Sequence, residues 1–335
     1  MSTTRPPAAE LQTLDSDVDT FLFIADSASP PHLQHTFEFL DRCIKRISID
    51  EYVCASYETI FSAVYPSLKR RFSSGMIPRR DNSKARFDAY LRANAQRVCI
   101  TTKIDQWRTG GGGGVGGAQM DGLSVNRPAL NAGLVSAFEA TFNEPNSPAT
   151  QLRRALLACT IFFTLAHELT YPWFRHLFST VLDSGLMKVA EWESISRKEG
   201  RHLEDLLICG CLYAMGTSGD ACEADRFESL WFQSQTPRNA SFQKIEDDTI
   251  IAFYDFLVDP QPNISLEQAI DALRPSGENV LMKEEADERK LVLQCIGGEL
   301  NAPATEPMDT TAAQVFGGVV LVPLGCGVHT SQVFK

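Results

Sequence analysis

Apolar residues recur at helical intervals along the early part of the chain. Phe37, Phe39, Leu40, Cys43 and Ile47 share one face of His35–Ile49, and Tyr52–Leu68 continues the pattern to Pro66 near its end. Val18–Ile24 is read with them as helix-like. Phe87–Gln106 is mixed, and Val98-Cys99-Ile100-Thr101-Thr102 within it has strand composition. The strongest periodicity follows Ser147: Leu152, Ala155, Leu156, Cys159, Phe162, Phe163 and Ala166 repeat at the helical period. So broad an apolar surface predicts a helix buried on most sides. Ser147 is placed to cap it, and Pro148 stands where a first turn tolerates proline. Pro172 is expected to end or kink the helix, because its ring clashes with the carbonyl of Glu168 and it lacks a backbone donor. That puts His167 and Glu168 at the helix C-terminus, with Trp173–Leu186 a further apolar helix.

Downstream, the charged run Glu191–Asp205 leads into apolar Leu206–Met215. Ser265-Leu266-Glu267-Gln268 is a capping box for a helix over Leu266–Leu273, stopped by Pro275. Lys283–Lys290 reads as a solvated charge run, Asn301–Thr311 as loop and Val315–Leu324 as a β-type segment. These elements imply an α-rich α+β fold, a helical core with a small amount of strand. The expected division is a disordered 1–15, an N-terminal α/β part 16–124, a core 125–235 and a C-terminal α+β part 236–335. Glycines crowd 110–117. Ordering glycine is entropically costly, so this tract is expected to be a flexible loop. It lacks the Lys-Ser/Thr that closes a phosphate-binding loop.

Composition narrows the function classes. The 335 residues are 44% hydrophobic and carry a net charge of −11. That acidity opposes general nucleic-acid binding, which needs cations to displace phosphate counterions. Lys69, Arg70, Arg71, Arg79, Arg80, Lys84 and Arg86 form a local basic stretch, read as a solvated surface. The apolar run Ala155–Ala166 is shorter than the roughly 20 residues of a membrane span. Met1–Glu10 has no apolar run behind a basic start, so an intracellular, cytoplasmic location is expected. Nine cysteines show no pairing framework and read as thiols of a reducing compartment.

The candidate chemistry sits in Thr164-Leu165-Ala166-His167-Glu168-Leu169-Thr170-Tyr171. A zinc-peptidase helix carries His-Glu-x-x-His: two imidazoles one turn apart hold the metal, and the glutamate activates water. His167 and Glu168 stand in place, and Tyr171 holds the second histidine's position. A phenol is a poor, high-pKa zinc ligand beside a neutral imidazole. The competing reading of His167 is a buried histidine paired with an acid. His176 lies nine residues on, roughly 180° around an unbroken helix, and reads as a packed side chain. His202 is a further nearby candidate. Cys209 and Cys211 lack a second Cys/His pair. His32 and His35 read as polar residues of a surface loop, and Trp107, Trp192 and Trp231 as packing residues.

About thirty residues beyond the His-Glu pair comes Lys198-Glu199-Gly200-Arg201-His202-Leu203-Glu204-Asp205, running into Leu206-Leu207-Ile208-Cys209-Gly210. On these motifs the chain resembles a group of uncharacterised fungal proteins with a zincin-like core of the gluzincin type, over roughly residues 125–215. Those proteins have a buried helix ending in His-Glu-Leu-x-His and a later Glu-Ser-Gly-Arg element followed by a further glutamate. The resemblance implies His167 as the first zinc ligand, Glu168 as the general base and a glutamate, Glu199 or Glu204, completing the metal set. Tyr171 departs from that pattern, and so does Lys198, which stands where the family has a glutamate, with Glu199 one position late. The implied protein is a degenerate zinc-metallopeptidase homologue, with zinc binding weak or lost and peptides or proteins as partners. Two alternatives remain: a helical interaction module with a coincidental His-Glu pair, and an active peptidase with an unusual ligand set.

Overall fold

The computed structural model describes residues 20–24, 32–72, 87, 89–91, 96–101, 116–121, 124–179, 184–186, 203, 206–216, 227–234, 241–275, 280–282 and 292–295. Six helices are named here: α1 (Gln34–Ile49), α2 (Glu51–Arg71), α3 (Ala132–Ala140), α4 (Pro148–Leu177), α5 (Asp247–Val258) and α6 (Leu266–Ala272). The strands are β1 (Thr20–Ile24), β2 (Gln96–Thr101), β3 (Gly116–Asp121), β4 (Ser124–Asn131), β5 (Gly210–Gly216), β6 (Phe227–Ser234), β7 (Ser241–Lys244), β8 (Val280–Met282) and β9 (Val292–Cys295). The fold is α+β and α-rich.

The strands form two sheets. One has the order β1-β2-β4-β3, the other β8-β7-β6-β5-β9. In the first, β1, β2 and β4 run parallel and β3 is antiparallel to β4. Parallel neighbours need a long return between them, and α1 and α2 supply it for β1 and β2. The second sheet is antiparallel throughout. β4 begins at Ser124 and pairs with β2 and β3, so the expected 124/125 division falls at its first step. β6 and β7 are neighbours in one sheet across the 235/236 division.

α4 binds the two sheets together. It packs on β3 and β4 of the first, on β6 of the second, and on α1, α3 and α5. Every residue from Ala155 to Thr170 is consequently buried, as the all-round apolar pattern requires. The Ser147 hydroxyl accepts from Thr150 N at the helix start, and Pro148 occupies the first turn. Pro172 behaves differently from expectation: the helix passes through it and runs to Leu177. Glu168 therefore lies about two and a half turns from the helix end, not at its C-terminus. Burial of Pro172, Trp173 and Phe174 against the core offsets the one backbone bond that the proline removes.

Other expectations are also revised. Val18–Ile24 contributes a strand, β1, because residues 20–24 pair with β2. Gly116 and Gly117 of the glycine tract belong to β3, opposite Leu130 and Ala129. His35 lies in the first turn of α1, stacked on Phe142 with centroids 4.1 Å apart. Residues 1–15, 283–290, 301–311 and 315–324 lie outside the described residues.

Side chains distant in sequence cap the helices. The N-cap of α1, Leu33, has no side-chain cap, and the Glu139 carboxylate of α3 takes its place, accepting from Thr36 N and Thr36 Oγ1 at 2.8 Å each. Arg42 Nη1 donates to Val258 O at 2.9 Å and Arg46 Nε to Leu257 O at 3.1 Å, closing the carbonyl end of α5. Cys209 adopts φ +59°, a left-handed conformation that a side chain disfavours. Gly210 follows because a Cβ there would meet Gln233 O at 2.3 Å.

Candidate functional site

The candidate site is a stripe on α4. Thr164, His167, Glu168 and Tyr171 are spaced i, i+3, i+4 and i+7, which confines them to a band about 100° wide. α4 is enclosed by both sheets, so this stripe is interior. His167 is 3% exposed and Glu168 1%. Tyr171 is half-buried and packs against the core. The His167 and Tyr171 rings are 6.0 Å apart between centroids, inclined at 42°. His167, Glu168 and Tyr171 are all engaged by surrounding residues.

Two backbone features bracket the pair. The Tyr57 hydroxyl of α2 donates to Ala166 O, the residue before His167. Burial holds the Tyr57 phenol well above its usual pKa, so it stays a donor. Pro172 has no N–H to return to Glu168 O. Tyr57 is itself stacked on Phe87 at 3.8 Å, and Phe87 N donates to Glu58 Oε1 at 3.2 Å. Nothing in the sequence signalled Tyr57.

His176 is directed elsewhere. It is exposed, on the face opposite His167, between Tyr90 at 4.8 Å and Trp173 at 6.0 Å. Partial burial lowers its pKa. Glu199, Glu204, Lys198 and His202 lie outside the described residues, as do Trp107 and Trp192. Leu203, between two of them, is fully buried. Cys209 lies far along the chain from α4, its thiol 3.3 Å from Arg274 Nη2. Trp231 is a packing residue whose Nε1 donates to Ser229 Oγ at 2.8 Å.

No protein-family model, curated protein or solved structure matches this chain.

The donor set decides how far a metal fits. A catalytic zinc takes three protein ligands and keeps one open position. Among the described residues, no three His, Cys, Asp or Glu side chains come together. The stripe offers one imidazole and, in the second position, a phenol. The described residues therefore do not make a zinc site. What the stripe provides is an interior imidazole, carboxylate and hydroxyl within one turn of each other, on a helix that holds them rigidly.

Proposed function

We propose that this chain is a degenerate zinc-metallopeptidase-like protein with little or no hydrolytic activity, in which zinc binding is weak or lost. The observation that carries the reading is Tyr171 beside His167 on a stripe closed into the core. Hydrolysis needs a substrate carbonyl and an attacking water at the same metal. An imidazole and carboxylate 3% and 1% exposed leave neither an approach. Partners in this reading are peptides or proteins met at the surface. A cytoplasmic location agrees with Cys43, Cys54, Cys159 and Cys209, which are thiols and not cystines. No helix among the described residues is long and apolar enough to cross a membrane.

The burial also favours a second reading, an interaction protein whose His-Glu pair is purely part of the core. Elemental analysis of the purified chain tests the first. The expected content is well under one zinc per chain. A stoichiometric zinc that disappears in His167→Ala overturns it and restores an active peptidase. The second reading is separated by repairing the ligand set, as argued below.

A further inference from the structure

The second sheet has two unlike faces. Side chains alternate between the faces along each strand, and residues directly opposite one another share a face. Leu212 stands opposite Phe232 and Ala214 opposite Leu230, and all four join the core that α4 fills. The other face carries Tyr213 opposite Trp231, and Gln233 opposite Phe242. It is built around aromatic rings. Tyr213 and Phe242 meet edge to face with centroids 5.1 Å apart, beside Gln233, whose Oε1 accepts from the Tyr213 hydroxyl at 2.8 Å. Trp231 is 9% exposed and Phe242 4%, yet neither is joined to the core on the far side of the sheet. An antiparallel sheet with one face on the core commonly leaves the other polar and wet. Two large rings buried on that other face call for a cover of their own.

The sequence adjoining the sheet limits what that cover is. Glu191–Asp205, ahead of β5, is a charged run, and residues 217–226, 235–240 and 276–279 are predominantly polar. Lys283–Lys290 is charged, and Asn301–Thr311 is polar and proline-bearing. Val315-Phe316-Gly317-Gly318-Val319-Val320-Leu321-Val322-Pro323-Leu324 is the long apolar run. We propose that Val315–Leu324 packs on the outer face of the second sheet, over Tyr213, Trp231 and Phe242. Residues 296–314 join it to β9, an edge strand of that sheet. Extended chain spans about 3.3 Å per residue. A stretch of that length crosses a five-stranded sheet whose strands lie about 4.8 Å apart. The contact gives β5, β6 and β7 a second apolar layer from within the same chain, and it does not depend on how the stripe on α4 is read.

Hydrogen exchange of the full chain, read by mass spectrometry, tests the contact from both sides. Amides of 315–324 are expected to exchange slowly in the unmodified chain. The double variant Val320→Asp, Leu321→Asp places charges on adjacent positions, and so on both sides of an extended segment. There the same amides should exchange about tenfold faster or more, the factor that burial of one such side chain represents. Amides of β5, β6 and β7 should speed up with them, while those of α4 hold. Free exchange of 315–324 in the unmodified chain overturns the proposal, and that measurement needs no variant to fold. Slow exchange that the double variant leaves unaltered, in the segment or in β5–β7, also overturns it. Protection that fades on dilution, with a dimer seen by sedimentation, puts the cover in a second copy and overturns the contact within one chain.

Discussion

The His167 imidazole and the Tyr171 phenol are neighbours one helical turn apart, their centroids 6.0 Å from each other. Tyr171→His therefore puts two imidazoles on one face, the spacing that zinc requires. A measurable gain in zinc affinity is expected. In the degenerate-zincin reading, which expects a glutamate at position 198, adding Lys198→Glu should increase it again. Isothermal titration is the measurement. No gain in the double variant rejects the zincin frame and favours the interaction-module reading.

Glu168 gives a different separation. It stands well inside α4, too far from the helix end for the macrodipole, which acts within the last turn. Its cost and benefit come from burial and from the contacts it makes. Glu168→Gln removes a charge from a position 1% exposed and is expected to leave stability equal or higher, read by chemical denaturation. Neither form should cleave a generic peptide library. Chelator-sensitive cleavage by the unmodified chain, lost in Glu168→Gln, sinks the degenerate reading.

Arg46 closes the end of α5 and lies over the Phe256 ring, 4.6 Å from its centroid. It also donates to Asp259 O. Hydrogen bonds from a charged, partly buried group are individually strong, so Arg46→Ala should cost about 2 kcal/mol. Arg46→Lys should recover only part of this, since an ammonium cannot fork to two carbonyls in the guanidinium geometry. Full recovery in urea unfolding contradicts the capping role.

Tyr52 donates to Leu206 O at 2.6 Å, and burial pushes its phenol up to about 12, with Cys209 adding to the rise. An unfolded tyrosine ionises near about 10. The folded chain thus keeps a proton that the unfolded chain gives up. The resulting stability is present in full below pH ~10 and is lost as pH rises through about 12. Tyr52→Phe should flatten the fall of unfolding free energy across that window by one group's share. Equal slopes in the two proteins reject the assignment.

Gly210→Ala tests the junction of β5 and β6. The added methyl carbon would lie 2.3 Å from Gln233 O and 2.6 Å from the Phe232 ring. The first contact is with backbone, so the strands must separate. A loss of about 3 kcal/mol is expected. A variant as stable as the parent shows that this strand pair sits further apart.

Local signals were the legible part of the fold. Ser147 caps α4, and Ser265 with Gln268 forms the capping box of α6, because such motifs act over three residues. The β-branched run at 98–101 became β2 for the same local reason. Long-range pairing was hidden. The strand at 20–24 exists only through its register with 96–100, and nothing near Leu33 announces that Glu139 will cap α1. Pro172 misled because a breaker's effect depends on packing that lies outside its own neighbourhood. At the candidate site, the spacing of His167, Glu168 and Tyr171 was readable. Their closure into the interior was not, since it depends on two sheets meeting the same helix.

That meeting has a consequence for how the chain comes off the ribosome. The first sheet is complete in sequence by Asn131, yet its cover, α4, is not finished until Leu177. The opposite flank of α4 waits longer, for β6 and for α5, which ends at Val258. Domains fold as units and emerge N-terminus first. Here the emerging half has a sheet not yet packed on α4 and then a helix buried on every side along its middle, so chaperone contact is expected to concentrate between the synthesis of residues 131 and 258.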